Sequence, residues 1–387
     1  MIYLDYAATT PVDERVLRVM RPFFSEIFGN PSSAHRFGQR AEAAVETARE
    51  TVAGVLNCRP DEIIFTAGGT EADNLALRGV MLAEMESGRN RLLTARTEHA
   101  AVSKTAEHLE KYAGVQVTWL TVDEFGQVRP EHVAGALRED AALVSVMFAN
   151  NEVGTVNPIA ALAPLCRERR VLFHSDAVQA AGYLDVDVQK LGVDLLALGG
   201  HKLYGPKGVG ALFVRHGTGL VPSLTGGGQE TGRRAGTHNV PYIVGFAEAL
   251  RLAKEERQER IAHVQPLRDY VIARVLQEIP EARLSGHPEQ RLPNHASFVF
   301  RDADGNLLVQ LLDAAGFACS SGSACKTGRP EPSEVLLAMG FTPAWARGSL
   351  RVTLGLGTTP EQVEAFLAVL PSLVERARRL HKEKTRS

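Results

Sequence analysis

The chain of 387 residues holds four cysteines, Cys58, Cys166, Cys319 and Cys325, spaced widely and irregularly. Disulfide scaffolds and zinc sites need denser, regular sets, so neither is expected; reduced thiols in a cytoplasmic protein are. Positive charge is not in surplus: 43 Lys and Arg stand against 45 Asp and Glu, a net charge of -2. Binding nucleic acid needs a basic surface to neutralise phosphates, so no nucleic-acid partner is expected. No run of about eighteen apolar residues is present, which excludes a helical membrane span. The opening stretch "MIYLDYAATTPVDERV" lacks a basic n-region and an apolar h-region, so no secretory signal is expected. Internal repeats and low-complexity linkers are also missing.

What is there is ordinary globular material, 44% hydrophobic and 23% charged. The length exceeds one ordinary core and predicts two domains. Residues 14–250 form the larger, and residues 1–13 with 251–387 the smaller. From about Asp61 to Arg215, apolar runs alternate with helical patterns: "EIIFTA", "RLLTA", "VQVTWLTV", "ALVSVMFAN", "VLFHSDAVQ" and "LLALGG". Continuously apolar strands separated by helices predict an α/β fold with a mostly parallel sheet buried on both faces. The remainder predicts a long helical stretch after Gly236 and a smaller α+β unit with strands "HASFVFRD" and "GSLRVTLGL". Thr359, Pro360 and Gln362 predict a capped start for the last helix.

Unusual polar residues gather where the apolar runs end. Ligands of open α/β sheets bind at the carboxyl ends of the strands, so this convergence marks one candidate site. "FTAGGTEADN" is a glycine-rich turn opening a helix, suited to a phosphate or simply to a tight strand-to-helix turn. In "HSDAVQ", Asp176 can bind a metal with His174 or pair with a cationic ring nitrogen. No third ligand is apparent, which ranks the metal below the cofactor. "GGHK" sets His201 and Lys202 among glycines. Lys202 is either a surface lysine at a strand end or an amine whose pKa is lowered for covalent work. "ACSSGSACKTG" is small, polar and glycine-rich, and predicts a mobile loop in which Cys325 is a candidate nucleophile. Cys319, beside apolar "AAGF", reads as packing. Arg351, in the β-rich run "GSLRVTLGL", is either a surface residue or a two-point clamp for a carboxylate.

Taken in order, "YLDYAATTPVD", "FGNPSSAHRFG", "FTAGGTEADN", "TEHAAV", "NNEVGTVNPI", "SDAVQAAG", "GGHKLYGPKGVGAL", "GGGQETGRRAGTHNV", "SSGSACKTGRPEPSEVLLAMG" and "SLRVTLG" resemble the pyridoxal phosphate-dependent cysteine desulfurases of fold type I. The resemblance covers nearly the whole chain. It implies conversion of L-cysteine to L-alanine, with sulfur carried on Cys325 as a persulfide and no metal. Lys202 would hold pyridoxal 5'-phosphate as a Schiff base and move the α-proton. His99 would stack on the ring and accept a proton near the substrate thiol. Asp176 would pair with the ring nitrogen, Gln179 with the phenolic oxygen, and Asn150 with cofactor or substrate. Gly69, Thr70 and His201 would hold the phosphate, with Thr237 reaching in from the partner of a homodimer. Arg351 would bind the substrate carboxylate, helped by Asn30. The acceptor implied is a protein such as an iron–sulfur scaffold. Two positions depart from the pattern: Gly199 stands where the family has a serine, and Thr231 where it has an arginine. Same-fold alternatives are a selenocysteine lyase or an aminotransferase, and a third is a non-catalytic scaffold relative.

Overall fold

The structure, a computed structural model, describes residues 1–322 and 332–386. The strands are β1 (Ile2–Tyr3), β2 (Ile63–Thr66), β3 (Arg91–Ala95), β4 (Gln116–Leu120), β5 (Ala141–Ser145) and β6 (Leu172–Asp176). They continue as β7 (Leu195–Gly199), β8 (Gly210–Val214), β9 (Ala282–Leu284), β10 (His295–Phe300), β11 (Phe317–Ala318) and β12 (Ser349–Thr353). Among the described residues, seven strands make the central sheet in the order β2-β8-β7-β6-β5-β3-β4. All its pairings are parallel except those of β8, which runs antiparallel to both β2 and β7. This is the α/β architecture with a mostly parallel sheet that the apolar runs predict.

Those runs are apolar throughout because both faces of the sheet are covered. Leu196 and Leu198 of β7 join one hydrophobic cluster, and Leu195 and Ala197 join another on the opposite side. Helices Arg36–Leu56 and Val240–Glu255 close the first face. Helices Gly69–Met85 and Ala100–Ala113 close the second. Side chains alternate along a strand, so a polar residue inside such a run has no wet face and needs a partner in the interior.

A third cluster packs around the antiparallel sheet β9-β10-β12 and includes Val264, Val271 and Val275 of one helix and Phe366, Leu367 and Leu370 of another. The long helical stretch after Gly236 is two helices, Val240–Glu255 and Arg257–Glu278, broken where Glu256 turns to φ -92°, ψ 6°. The last helix, Pro360–Arg386, begins as its cap residues predict: Gln362 N donates to Thr359 Oγ1 at 3.3 Å and Thr359 N to Gln362 Oε1 at 3.2 Å. β1 lies parallel to β11, and the chain then runs beside β12, where Thr353 N donates to Leu4 O at 2.8 Å. The first residues thereby pass from the smaller sheet to the rim of the larger. Among the described residues, no helix is long and apolar enough to cross a membrane.

Candidate active site

A cavity of about 980 Å³ opens at the carboxyl ends of β2, β6 and β7. β2 ends at Thr66, and Gly68 then takes φ +151°, a conformation open to glycine, before helix Gly69–Met85 begins. A Cβ on Gly69 would stand 2.5 Å from a methyl of Val178, so two turns meet here in a way that only a residue without a side chain allows. No side chain caps this helix. Its first N–H groups, together with Thr70 on the cavity wall, are left for an anion.

Asp176 ends β6 inside the cavity wall, 4% exposed. Its Oδ1 accepts from Val178 N at 2.8 Å, and its other oxygen has no hydrogen-bond partner among the described residues. Burial raises its pKa, against the lowering pull of His99, the Val178 N–H and Lys202. Two further buried carboxyls, Asp73 and Glu98, lie close enough to interact with it and are pushed well up, chiefly by burial. Asp73 Oδ1 and Glu98 Oε2 lack hydrogen bonds among the described residues. Of these desolvated carboxyls, Asp73 and Asp176 line the cavity, where a cation such as a protonated ring nitrogen would offset the cost of their burial. His174 does not join Asp176 as a metal pair. Its Nδ1 bonds Ser145 Oγ at 2.9 Å, its Nε2 faces Asp73 Oδ1 at 3.5 Å, and burial lowers its pKa to about 3.

Lys202 closes the short turn Gly200–Lys202 that follows β7. Its Nζ donates to the carbonyls of Ala7 and Ala8, the latter at 2.7 Å. Burial first, then the charge of Arg351, lower its pKa to about 8, against Asp5 and Asp176. About a tenth of such an amine is neutral at pH 7, against well under a thousandth for an ordinary lysine. His201 Nδ1 lies 3.2 Å from Thr9 Oγ1, and burial and then Lys202 lower its pKa to about 4. Gln179 donates to Ala7 O at 2.9 Å. The "DYAATT" stretch is therefore the ceiling over these side chains.

His99 caps helix Ala100–Ala113, and its Nδ1 accepts from Ala101 N at 3.1 Å. That bond puts the proton of the neutral ring on Nε2 and offers the cavity a donor. Arg351, 9% exposed on β12, reaches the cavity from the smaller sheet. Its Nη1 donates to Asn151 O at 2.8 Å and its Nη2 to Asp5 Oδ1 at 2.9 Å, while its buried Nε has no partner among the described residues.

Asn150 stands apart from the cavity lining. Its amide donates to Thr97 O at 2.8 Å and accepts from Glu152 N and Val153 N, so it builds the turn, and Asn151 faces the cavity instead. Asn30 and Thr237 are exposed and do not line this cavity. Cys319 is buried in the cluster of the smaller sheet, where burial drives its thiol pKa up, as its apolar neighbours predict. Cys325 lies outside the described residues. Sequence reasoning passed over Asp5, Asp73 and Glu98; Asn151 stands with Asn150 at a strand end, but the role went to Asn150.

The aminotransferase class-V family model matches residues 2–366. "Cysteine desulfurase IscS" of Dictyoglomus turgidum is 45% identical over 377 residues, 97% of this chain and 95% of that one. "Cysteine desulfurase IscS" of Methanosarcina thermophila is 44% identical over 379 residues, 98% of this chain and 93% of that one. A solved structure of a "NIFS-LIKE PROTEIN" superposes with TM-score 0.90 at 37% identity, covering 97% and 99% of the two chains. A structure described as "SspA in complex with cysteine" matches with TM-score 0.80 at 36% identity, covering 92% and 99%.

Proposed function

The chain belongs to the aminotransferase class-V family and within it is a cysteine desulfurase, and from that premise we propose how its own residues carry the reaction. Pyridoxal 5'-phosphate is the cofactor and Lys202 its anchor. One observation carries this reading: a single cavity gathers an amine near neutrality, a buried carboxylate with an open oxygen, an uncapped helix N-terminus and an arginine fork. When bound, the cofactor supplies an electron sink conjugated to the substrate α-carbon.

Gly69, Thr70 and His201 would hold the phosphate, Asp176 the ring nitrogen and Gln179 the phenolic oxygen, with His99 against the ring. Arg351 would take the α-carboxylate of L-cysteine. It has five N–H donors, two of which are engaged by Asn151 O and Asp5, so a two-point contact is still free. Lys202 Nζ would hold the cofactor and, when free, would move the α-proton; its low pKa suits a base working near pH 7. His99 serves as donor from Nε2 as it stands, and accepting a proton at Nδ1 requires release of the Ala101 cap. The Cys325 thiolate then bonds the substrate sulfur as the substrate Cβ–S bond breaks. Cys325 keeps the sulfur as a persulfide, and the carbon skeleton, once protonated, leaves as L-alanine.

The same reading includes a homodimer in which Thr237 and Asn30 serve the partner's site. Their exposure, away from this chain's own cavity, supports it. It includes a division into a large unit of residues 14–250 and a small unit of residues 1–13 and 251–387, supported by the separate clusters of the two sheets. A cytoplasmic location, supported by the free thiols of Cys58, Cys166 and Cys319, and delivery to an iron–sulfur scaffold complete it. The test supplies L-cysteine to the purified protein reconstituted with pyridoxal phosphate. Equal amounts of L-alanine and of sulfur mapped to Cys325 are expected. A keto acid in place of alanine, or a protein that binds no cofactor, overturns the proposal.

A further inference from the structure

Arg351 has a partner that the reaction does not call for. Asp5 comes from the first residues of the chain, where its backbone bridges Thr353 of β12. Its Oδ1 accepts from Arg351 Nη2 at 2.9 Å and its Oδ2 from Ser320 Oγ at 2.7 Å. Side-chain exposures of 14% for Asp5 and 10% for Arg351 keep the pair out of bulk water, so its charges are only partly screened. Ser320 is itself fixed to Arg351, since Arg351 N donates to Ser320 O at 2.7 Å. Asp5 is therefore held from both sides and cannot swing clear of the guanidinium without breaking two bonds.

A carboxylate at that place meets any carboxylate that enters. L-cysteine and L-alanine carry the same amino-acid carboxylate, so Arg351 grips substrate and product alike. Such binding lowers KM without speeding the chemical step, and it retains the product. We propose that Asp5 is a positioning residue that aims Arg351 and, as a fixed counter-charge, weakens its hold on amino-acid carboxylates so that L-alanine is released. This rests on the reading of Arg351 as the carboxylate site.

Asp5→Asn keeps the shape and an acceptor for Arg351 while removing the charge. The holoenzyme is titrated with L-alanine by calorimetry. The dissociation constant is expected to fall by about threefold to tenfold, the span between a screened and a partly buried ion pair. Cysteamine, which has the amine and thiol of the substrate but no carboxylate, is expected to bind as it does to the parent. Asp5→Glu, which restores the charge, should return the alanine constant toward the parent value. Equal or weaker alanine binding in Asp5→Asn overturns the proposal, and so does a shift of cysteamine as large as that of alanine. If Asp5→Asn does not fold, Ser320→Ala frees the far side of Asp5, and unchanged alanine affinity there overturns the proposal. Arg351→Lys separates the two readings: alanine affinity unaffected by that change refutes the carboxylate site itself, whatever Asp5 does.

Discussion

Gly199 ends β7 beside the anion cradle, and replacing it by serine tests how that cradle is built. A Cβ at Gly199 would stand 3.3 Å from Val178 Cγ1, 3.6 Å from Cγ2 and 3.5 Å from Gly69 N. The new side chain is thus tight against Val178 and lies near the first N–H of the uncapped helix. A hydroxyl that reaches a bound phosphate gains about 1.5–3 kcal/mol, the worth of a hydrogen bond to a charged group. Turning Val178 aside by a few tenths of an ångström costs about 0.5–1.5 kcal/mol. The difference favours the variant by about 1 kcal/mol, which is about fivefold in cofactor affinity. The assay is equilibrium dialysis of pyridoxal phosphate against the parent, Gly199→Ser, and Gly199→Ser with Val178→Ala. Gly199→Ser should retain cofactor better than the parent, and the double variant better still, because the crowding is gone. Equal or weaker retention in both variants would refute the reasoning, since it would mean that no hydroxyl is wanted at this place.

Lys202→Ala should abolish turnover and the absorbance of bound cofactor while far-ultraviolet dichroism stays unchanged; normal activity would refute its assignment. Glu230 holds its turn through Arg49, which bonds both its oxygens at 2.8 and 2.9 Å, through the Phe65 N–H at 3.0 Å and through His238 at 2.5 Å. Burial alone would raise its pKa, but these partners bring it down to about 2. Glu230→Ala leaves the buried Arg49 with Glu46 as its remaining charged partner, and should cost up to about 3–5 kcal/mol in chemical denaturation. Burial raises Glu152 to about 7, against Ser333 and Arg351. The native state then binds more protons than the unfolded one between about pH 4.5 and 7, so stability falls as pH rises through that window, by about 3 kcal/mol at most. Glu152→Gln should remove this fall, and an unchanged slope would refute it. Cys325→Ala should bind cofactor and L-cysteine yet form no protein persulfide, whereas Cys319→Ala should keep its activity. A persulfide mapped to Cys319, with turnover near the parent's, would reverse the two roles.

The sheet was legible because burial on both faces leaves a plain mark. β7 is "LLALG", buried at every position, and a run of that length closed by glycines has few other uses. The joint between the two long helices was not legible, because "KEERQER" has no breaker and Glu256 departs from helical geometry without proline or glycine. Asp73 carried a readable signal that went unused. On helix Gly69–Met85 it shares the buried stripe of Ala72, Ala76, Leu77 and Val80. A carboxylate on such a stripe is expensive to bury without a task.

Within the site, what could be read from the chain was whatever a local rule had displaced: an aspartate at the end of an apolar strand, a lysine between glycines, a turn without a cap. The adjacent Asn150 and Asn151 show where that stops. Their difference lies in a turn after β5, where one amide satisfies Thr97 O and two N–H groups while the other side chain faces the cavity. No periodicity spans an irregular turn, so nothing in the order of residues says which asparagine turns inward. Asp5 is harder still. Its neighbours in sequence form a strand of two residues, and its partners, Ser320 and Arg351, lie 315 and 346 positions away. A charge placed by contacts that distant leaves no local pattern. The residues that tune a site's affinity are of this kind, because they act on a reacting group from outside it and are bound only by the fold that brings them there.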